Sequence, residues 1–490
     1  MNLMLHRLIF FVQSHAINGL GRLGALGFGI WVAFLAGCAV GPDYQRPAAP
    51  VLNPAAFRGA AASDTNSLAD LPWWQVFHDD TLQSLIHTAL TNNYNARIAV
   101  TRVEQARAGA AQTRAQLFPQ LDYGVSAGTG KNIASDSPSP TGKRGSVFSA
   151  DVTATWELDL WGRLRRLNES ARAQYLASVE AQRDVRISLI GQVAQNYFQL
   201  LALDRQLDIA RESTNSYADS LKIFNQRLQG GVASKLDTSS AEALMHAAAA
   251  TIPELERQVA LQENQLSLLL GLEPGASVRD RGALDRQAPP EVPAGLPSTL
   301  LERRPDIREA EQQLRSANAQ VGVAKADFFP QLNLTGLLGE VSPETSFFTS
   351  GGAFAWGAAA GLTGPLFHAG QLRAQYAQAR AVREQFALQY QSTVLNAFTE
   401  VSDALISRSQ LARARAEQTR AVAAYQEAVK LSMERYRLGE ADYYQVLQEQ
   451  QLLFPAENTL AQFQVNQLLA IVQLYQALGG GWNTDVDKVM

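Results

Sequence analysis

Cysteine occurs once in 490 residues, at Cys38, so the chain forms no internal disulfide and no cysteine-based metal site. The six histidines (His6, His15, His78, His87, His246 and His368) are scattered and make no spaced ligand set. Basic residues are not in excess either: 42 Lys and Arg stand against 46 Asp and Glu, a net charge of -4. Phosphate contacts need clustered Lys and Arg, so no nucleic-acid partner is expected. No nucleophile–base pair, metal set or phosphate loop stands out, so an enzyme is the reading with least support and no cofactor is expected. Gly19-Leu20-Gly21-Arg22-Leu23-Gly24 has the spacing of a dinucleotide fingerprint, but no strand precedes it. What is present is apolar material, 46% of the chain, enough for a large folded core.

The longest apolar run near the start, Leu23 to Leu35, is short and ends in small residues at Ala36-Gly37-Cys38. With His6, Arg7 and Arg22 flanking apolar residues, it reads as a signal peptide over 1–37 rather than a spanning helix. Leu35-Ala36-Gly37-Cys38 is similar to the bacterial lipobox, which implies cleavage before Cys38 and diacylglycerol on its sulfur. An ordinary signal peptide with an incidental cysteine is the alternative. Ala39 rather than Asp follows, which by resemblance to sorting rules points to the outer membrane. Several acyl chains anchor durably where a single one does not. Residues 38–72, rich in Pro, Ala and Ser, read as an extended arm.

A duplication organises the rest. Arg227-Leu228-Gln229-Gly230-Gly231 returns as Arg435-Tyr436-Arg437-Leu438-Gly439, and Leu160-Trp161-Gly162-Arg163-Leu164 stands against His368-Ala369-Gly370-Gln371-Leu372. Gly162 lies 69 residues before Gly231, and Gly370 lies 69 before Gly439. Ungapped spacing of that length points to a long helix used twice, because packed helices tolerate no insertions. Glycine is nearly absent between Arg165 and Gln229 and between Gln371 and Leu438. At 1.5 Å per residue such a helix spans roughly 100 Å, beyond a globular domain, so coiled-coil helices are expected. Val185, Leu189, Val193, Tyr197 and Leu200 give one apolar stripe, and Phe386, Tyr390, Val394, Phe398, Val401 and Leu405 the other. Turns near 231 and 439 lead into return helices that end before Gly271 and Gly479.

Upstream of each long helix, Phe118-Pro119-Gln120-Leu121 and Phe329-Pro330-Gln331-Leu332 stop a preceding helix, the first of which is predicted from Asp79-Asp80-Thr81 to about Gln116. Alternating segments follow. Leu121, Tyr123, Val125 and Ala127 partner Val152, Ala154, Trp156, Leu158 and Leu160; Leu332, Leu334, Gly336 and Leu338 partner Phe354, Trp356, Ala358, Ala360 and Leu362. These predict two hairpins, about 120–160 and 331–364, with strands of the length a membrane needs. A soluble four-stranded sheet with one face on a core fits the same alternation. The expected organisation is a first repeat over 73–272, a linker over 273–298, a second repeat over 299–482 and a tail over 483–490. In the second repeat, Pro305 opens a helix with Asp306 set against its dipole.

Four membrane strands leave two open edges that lipid does not satisfy, and a barrel takes at least about eight strands. Several copies must therefore share one barrel. Cys38 to Pro47 (Cys-Ala-Val-Gly-Pro-Asp-Tyr-Gln-Arg-Pro), Trp73-Trp74, Arg303-Arg304-Pro305-Asp306 and both Arg-x-x-x-Gly turns resemble the TolC-like outer membrane factors, in particular the NodT branch of lipid-anchored efflux lipoproteins. The resemblance implies a mainly α fold with a β-barrel part: a homotrimer whose hairpins form a twelve-stranded barrel over a periplasmic α-helical tunnel. It implies the exit duct of a tripartite efflux pump, with a periplasmic adaptor and an inner-membrane transporter of the RND type as partners. The family's closed entrance lies at the helical turns. Asp237, six residues after Gly231, matches a gate aspartate, and Tyr436, three before Gly439, its tyrosine partner, with Arg435 beside it. A tyrosine–carboxylate hydrogen bond is charge-assisted and suits a breakable latch. Where the family often has an aspartate nine residues after the second turn glycine, this chain has Gln448, so an acidic entrance ring does not follow. A duct for protein or peptide secretion shares the fold; a lipid-anchored coiled-coil scaffold without a pore is the alternative of a different class, opposed by the amphipathic strands.

Overall fold

The computed structural model describes residues 39–47, 76, 78–131, 144–275, 282–287, 300–342 and 354–480. The expectations on the signal peptide, Cys38 and Trp73-Trp74 lie outside the described residues. Helices α1 (Asp80–Asn92) and α2 (Tyr94–Ala115) precede strands β1 (Gln120–Lys131) and β2 (Arg144–Leu158). Helix α3 (Arg163–Gln229) has 67 residues and α4 (Lys235–Leu269) has 35. After a 3-10 turn at Leu284–Arg286 come a helical turn α5 (Leu300–Arg303), helix α6 (Pro305–Ala326), and strands β3 (Gln331–Ser342) and β4 (Phe354–Thr363). Helix α7 (Gln371–Leu438) then has 68 residues and α8 (Tyr443–Ala477) has 35. The chain divides into two compact units.

The first unit holds the described parts of 1–45, 108–173 and 315–384. Its centre is a four-stranded antiparallel sheet in the order β1-β2-β3-β4. The two expected hairpins form, with β2 ending at Leu158 short of the expected Leu160, and β2 also pairs with β3, joining them into one sheet. One row crosses all four strands: Tyr123, Val152, Leu338 and Trp356 are successive partners. Side chains two apart share a face, so this row and its neighbours Leu121, Val125 and Leu362 make one apolar surface. That surface is bare, with Tyr123 86% and Trp356 74% exposed. Below the sheet, Trp161 stacks on Phe329 with ring centroids 4.7 Å apart and donates its indole N–H to the Pro330 carbonyl at 2.8 Å. The Trp161 carbonyl accepts from the Val40 N–H at 2.9 Å, which docks the chain just past Cys38. Gly162 makes this possible: its φ is +80°, and a Cβ there would lie 2.6 Å from the Ala39 Cβ. Asp159 caps α3 by accepting from the Leu164 and Arg165 N–H groups at 3.1 and 2.9 Å.

The second unit holds the described parts of 46–107, 174–314 and 385–490. Most of both expected stripes is interior: Leu189, Val193, Tyr197 and Leu200 from α3, and Tyr390, Val394, Val401 and Leu405 from α7, are buried, while Val185, Phe386 and Phe398 are half-buried. A large cluster packs the α3 residues with Leu82, Ile86 and Ala89 of α1 and Leu468, Ile471, Val472 and Tyr475 of α8. Asp79 caps α1 through the Leu82 N–H and accepts the buried Tyr197 hydroxyl at 2.9 Å. One expectation is corrected: the helix from Asp80 does not run unbroken to Gln116. Asn93 interrupts it, with ψ of 127°. Its side chain accepts from the Ala96 N–H at 3.1 Å and donates to the Leu269 carbonyl at 2.9 Å. A short amide side chain that bonds backbone groups competes with the helix ladder. Pro305 opens α6 as expected. Arg304, buried, binds Asp306 and Glu400 at 2.7 Å each and the Ala477 carbonyl at 2.9 Å, tying α6 to α7 and to the end of α8.

Candidate functional site at the helical tips

Both long helices end by the same backbone device. Gly231 and Gly439 have φ of +74° and +79°, and a Cβ at neither would meet any atom within 4 Å. Conformation, not space, requires glycine there. In the first turn the Val232 N–H reaches back to the Arg227 carbonyl and the Gly231 N–H to the Leu228 carbonyl; in the second, Glu440 reaches Arg435 and Gly439 reaches Tyr436. This is the pairing that closes a helix with a left-handed glycine. It accounts for the glycine at a fixed distance from the last helical turn; the main-chain carbonyl four residues before it takes the closing bond.

The two arginine side chains then part. The Arg227 guanidinium lies 4.3 Å from the Tyr436 ring centroid and donates to the Tyr436 carbonyl at 3.0 Å. Arg435 is exposed and reaches the Glu440 carbonyl at 3.4 Å. Past the first turn, Ser234 and Asp237 form a capping box: the Asp237 N–H donates to the Ser234 hydroxyl at 3.2 Å, and the Ser234 N–H to the Asp237 carboxylate at 2.8 Å. Asp442 caps α8 with no side-chain bond.

Between the turns sits a small core of Phe224, Ala241, Tyr436, Tyr443, Val446 and Leu447. The Phe224 ring meets Tyr436 edge-on at 5.4 Å and Tyr443 at 3.6 Å between centroids. Ala241 lies one helical turn beyond Asp237, on the same face of α4. Burial pushes the Tyr436 hydroxyl up, the Arg227 cation opposes this, and the Asp237 charge adds to it. Tyr443 is pushed up first by burial and then by Asp237 and Tyr436.

Thus Tyr436 and Asp237 come to one tip, the first inside the aromatic core and the second engaged in a helix cap. Arg435 and Gln448 point outward. Sequence reasoning marked Arg227 only as the start of a turn motif and passed over Phe224 and Tyr443, which arrive from different helices. Ser234 was readable, because Ser-x-x-Asp before a helix is a capping signal.

Comparison with known proteins gives the family of the chain. The family model for outer membrane efflux protein matches residues 85–272 and 296–480. The chain is 37% identical over 464 residues to "Probable efflux pump outer membrane protein TtgC" of Pseudomonas putida, covering 93% of this chain and 95% of the relative. The outer-membrane channel OprN superposes with a TM-score of 0.84 at 32% identity, covering 91% of this chain and 100% of that one. The open state of the Neisseria gonorrhoeae MtrE outer membrane channel superposes with a TM-score of 0.83 at 30% identity, covering 91% of this chain and 98% of that one. The chain belongs to the outer membrane efflux protein family.

Proposed function

We propose that this outer membrane efflux channel works as a homotrimer, in which three four-stranded sheets close one barrel and the long helices form a tunnel gated at the tips. The observation that carries the reading is the sheet. Its apolar face is bare, and among the described residues β1 pairs only with β2 and β4 only with β3. Lipid offers nothing to the open edges, so copies of the same sheet must satisfy them. Helices of 67 and 68 residues, each followed by one of 35, support a twofold repeat with halves 73–272 and 299–482 flanking a linker at 273–298. Val232, Leu236, Leu438 and Tyr444 are exposed apolar residues beside the tip turns. Exposed apolar groups of this kind suit a protein partner, here the periplasmic adaptor of a pump driven by an inner-membrane transporter of the RND type. The protein performs no catalysis and conducts passively. Purified in detergent it is expected to run as a trimer and to conduct ions in planar bilayers. A monodisperse monomer without channel activity at any concentration would favour the scaffold instead.

The mature chain begins at acylated Cys38, followed by an arm to residue 72, and the tail is 483–490. Docking of Val40 on Trp161, directly below β2, supports an acyl group at the base of the sheet. Radioactive palmitate is expected to label the wild type and leave Cys38→Ser unlabelled. Equal labelling of the two would sink the assignment.

A further inference from the structure

Tyr443 carries a feature the gate reading leaves unused. It is 6% exposed, and its hydroxyl is buried without a hydrogen-bond partner. Leaving a buried donor unmade is costlier than never having it, and a phenylalanine would fill the same aromatic core without that cost. The Arg227 side chain is engaged by Tyr436, through the ring and the main-chain carbonyl. The acidic group whose field reaches the Tyr443 hydroxyl is Asp237. That carboxylate stands one turn before Ala241, which packs in the same core as Tyr443. In this structure it is held by the Ser234 N–H at 2.8 Å.

We propose that Tyr443 is a further gate residue whose hydroxyl takes the Asp237 carboxylate when that carboxylate leaves the Ser234 cap. The tip then has two hydrogen-bonded arrangements. In one, Asp237 closes the capping box and Tyr443 is unpaired. In the other, the Tyr443 O–H donates to Asp237, and the capping box loses its carboxylate half while the Asp237 N–H keeps its bond to the Ser234 hydroxyl. Two arrangements of similar stability are what a switch needs, because a small bias from a docked partner moves the population. The proposal rests on the tip being the gate and adds to it a residue on α8.

The test is a cycle of Tyr443→Phe, Asp237→Ala and the double variant, read as the relative occupancy of conductance levels of the trimer in planar bilayers, with thermal unfolding alongside. Tyr443→Phe keeps the ring, so the trimer should form and melt no lower than wild type. It is expected to shift the occupancy ratio by roughly tenfold or more, and to be silent in the Asp237→Ala background. Wild-type occupancy in Tyr443→Phe would overturn the proposal. So would an equal shift in both backgrounds, which is the mark of ring packing. A lowered melting temperature would also overturn it, because the hydroxyl would then be bonded already. If Tyr436→Phe and Asp237→Ala change conductance while Tyr443→Phe does not, Tyr443 alone is excluded. If none of the three changes it, the tip is not the gate.

Discussion

A trimer carrying both Tyr436→Phe and Asp237→Ala is expected to pass more current than wild type and to make cells leak to large antibiotics such as vancomycin. In the proposed latch a Tyr436–Asp237 hydrogen bond, which this chain by itself does not make, would stabilise the closed state by about 1.5–3 kcal/mol, and threefold repetition would multiply the bias its loss gives toward opening. The phenylalanine keeps its place between Phe224 and Tyr443, so the tip core survives. Asp237→Ala also removes the carboxylate half of the capping box with Ser234 and so weakens the start of α4. Ser234→Ala separates the two effects, because it uncaps the helix and leaves the carboxylate. Single-channel conductance, vancomycin sensitivity and gel filtration check the outcome. If the double variant assembles yet matches wild type, these residues do not hold the entrance; if Ser234→Ala opens the channel as far, the cap and not a latch is responsible.

The second large effect belongs to the sheet. Leu338 is 54% exposed on the bare face, between Val152 and Trp356 on the neighbouring strands. An arginine facing lipid near the bilayer midplane costs about 2–4 kcal/mol, incurred in every copy. Leu338→Arg is therefore expected to abolish heat-resistant trimer in outer membrane fractions. Thr335→Arg, three residues earlier in β3 and on the opposite face, should be tolerated, since that face turns to the lumen in the proposed barrel. Equal amounts of both variants in the membrane would favour a soluble sheet with its apolar face on some other core.

The features set by neighbouring residues could be read from the chain alone. Period-two alternation set Tyr123 on the face of Val152 and Leu338 on the face of Trp356, because strand faces follow from backbone geometry before any packing. Gly231 and Gly439 marked the tips, because a left-handed residue is a local demand that glycine meets. The 67- and 68-residue helices followed from scarce glycine and a persistent apolar stripe. What depends on groups far apart in sequence was settled only by folding. Asn93 breaks a helix because the Leu269 carbonyl, 176 residues away, receives its amide. Pairing of β2 with β3 brings Val152 to Leu338 across the whole first helical hairpin. Arg227 and Arg435 share the Arg-x-x-x-Gly signature in sequence, yet one clamps the buried Tyr436 ring and the other is exposed. Tyr443 reads as one more apolar position at helical spacing. Only the packing of α3 and α4 around α8 buries its hydroxyl in the Asp237 field, because desolvation and charge depend on everything that surrounds a group.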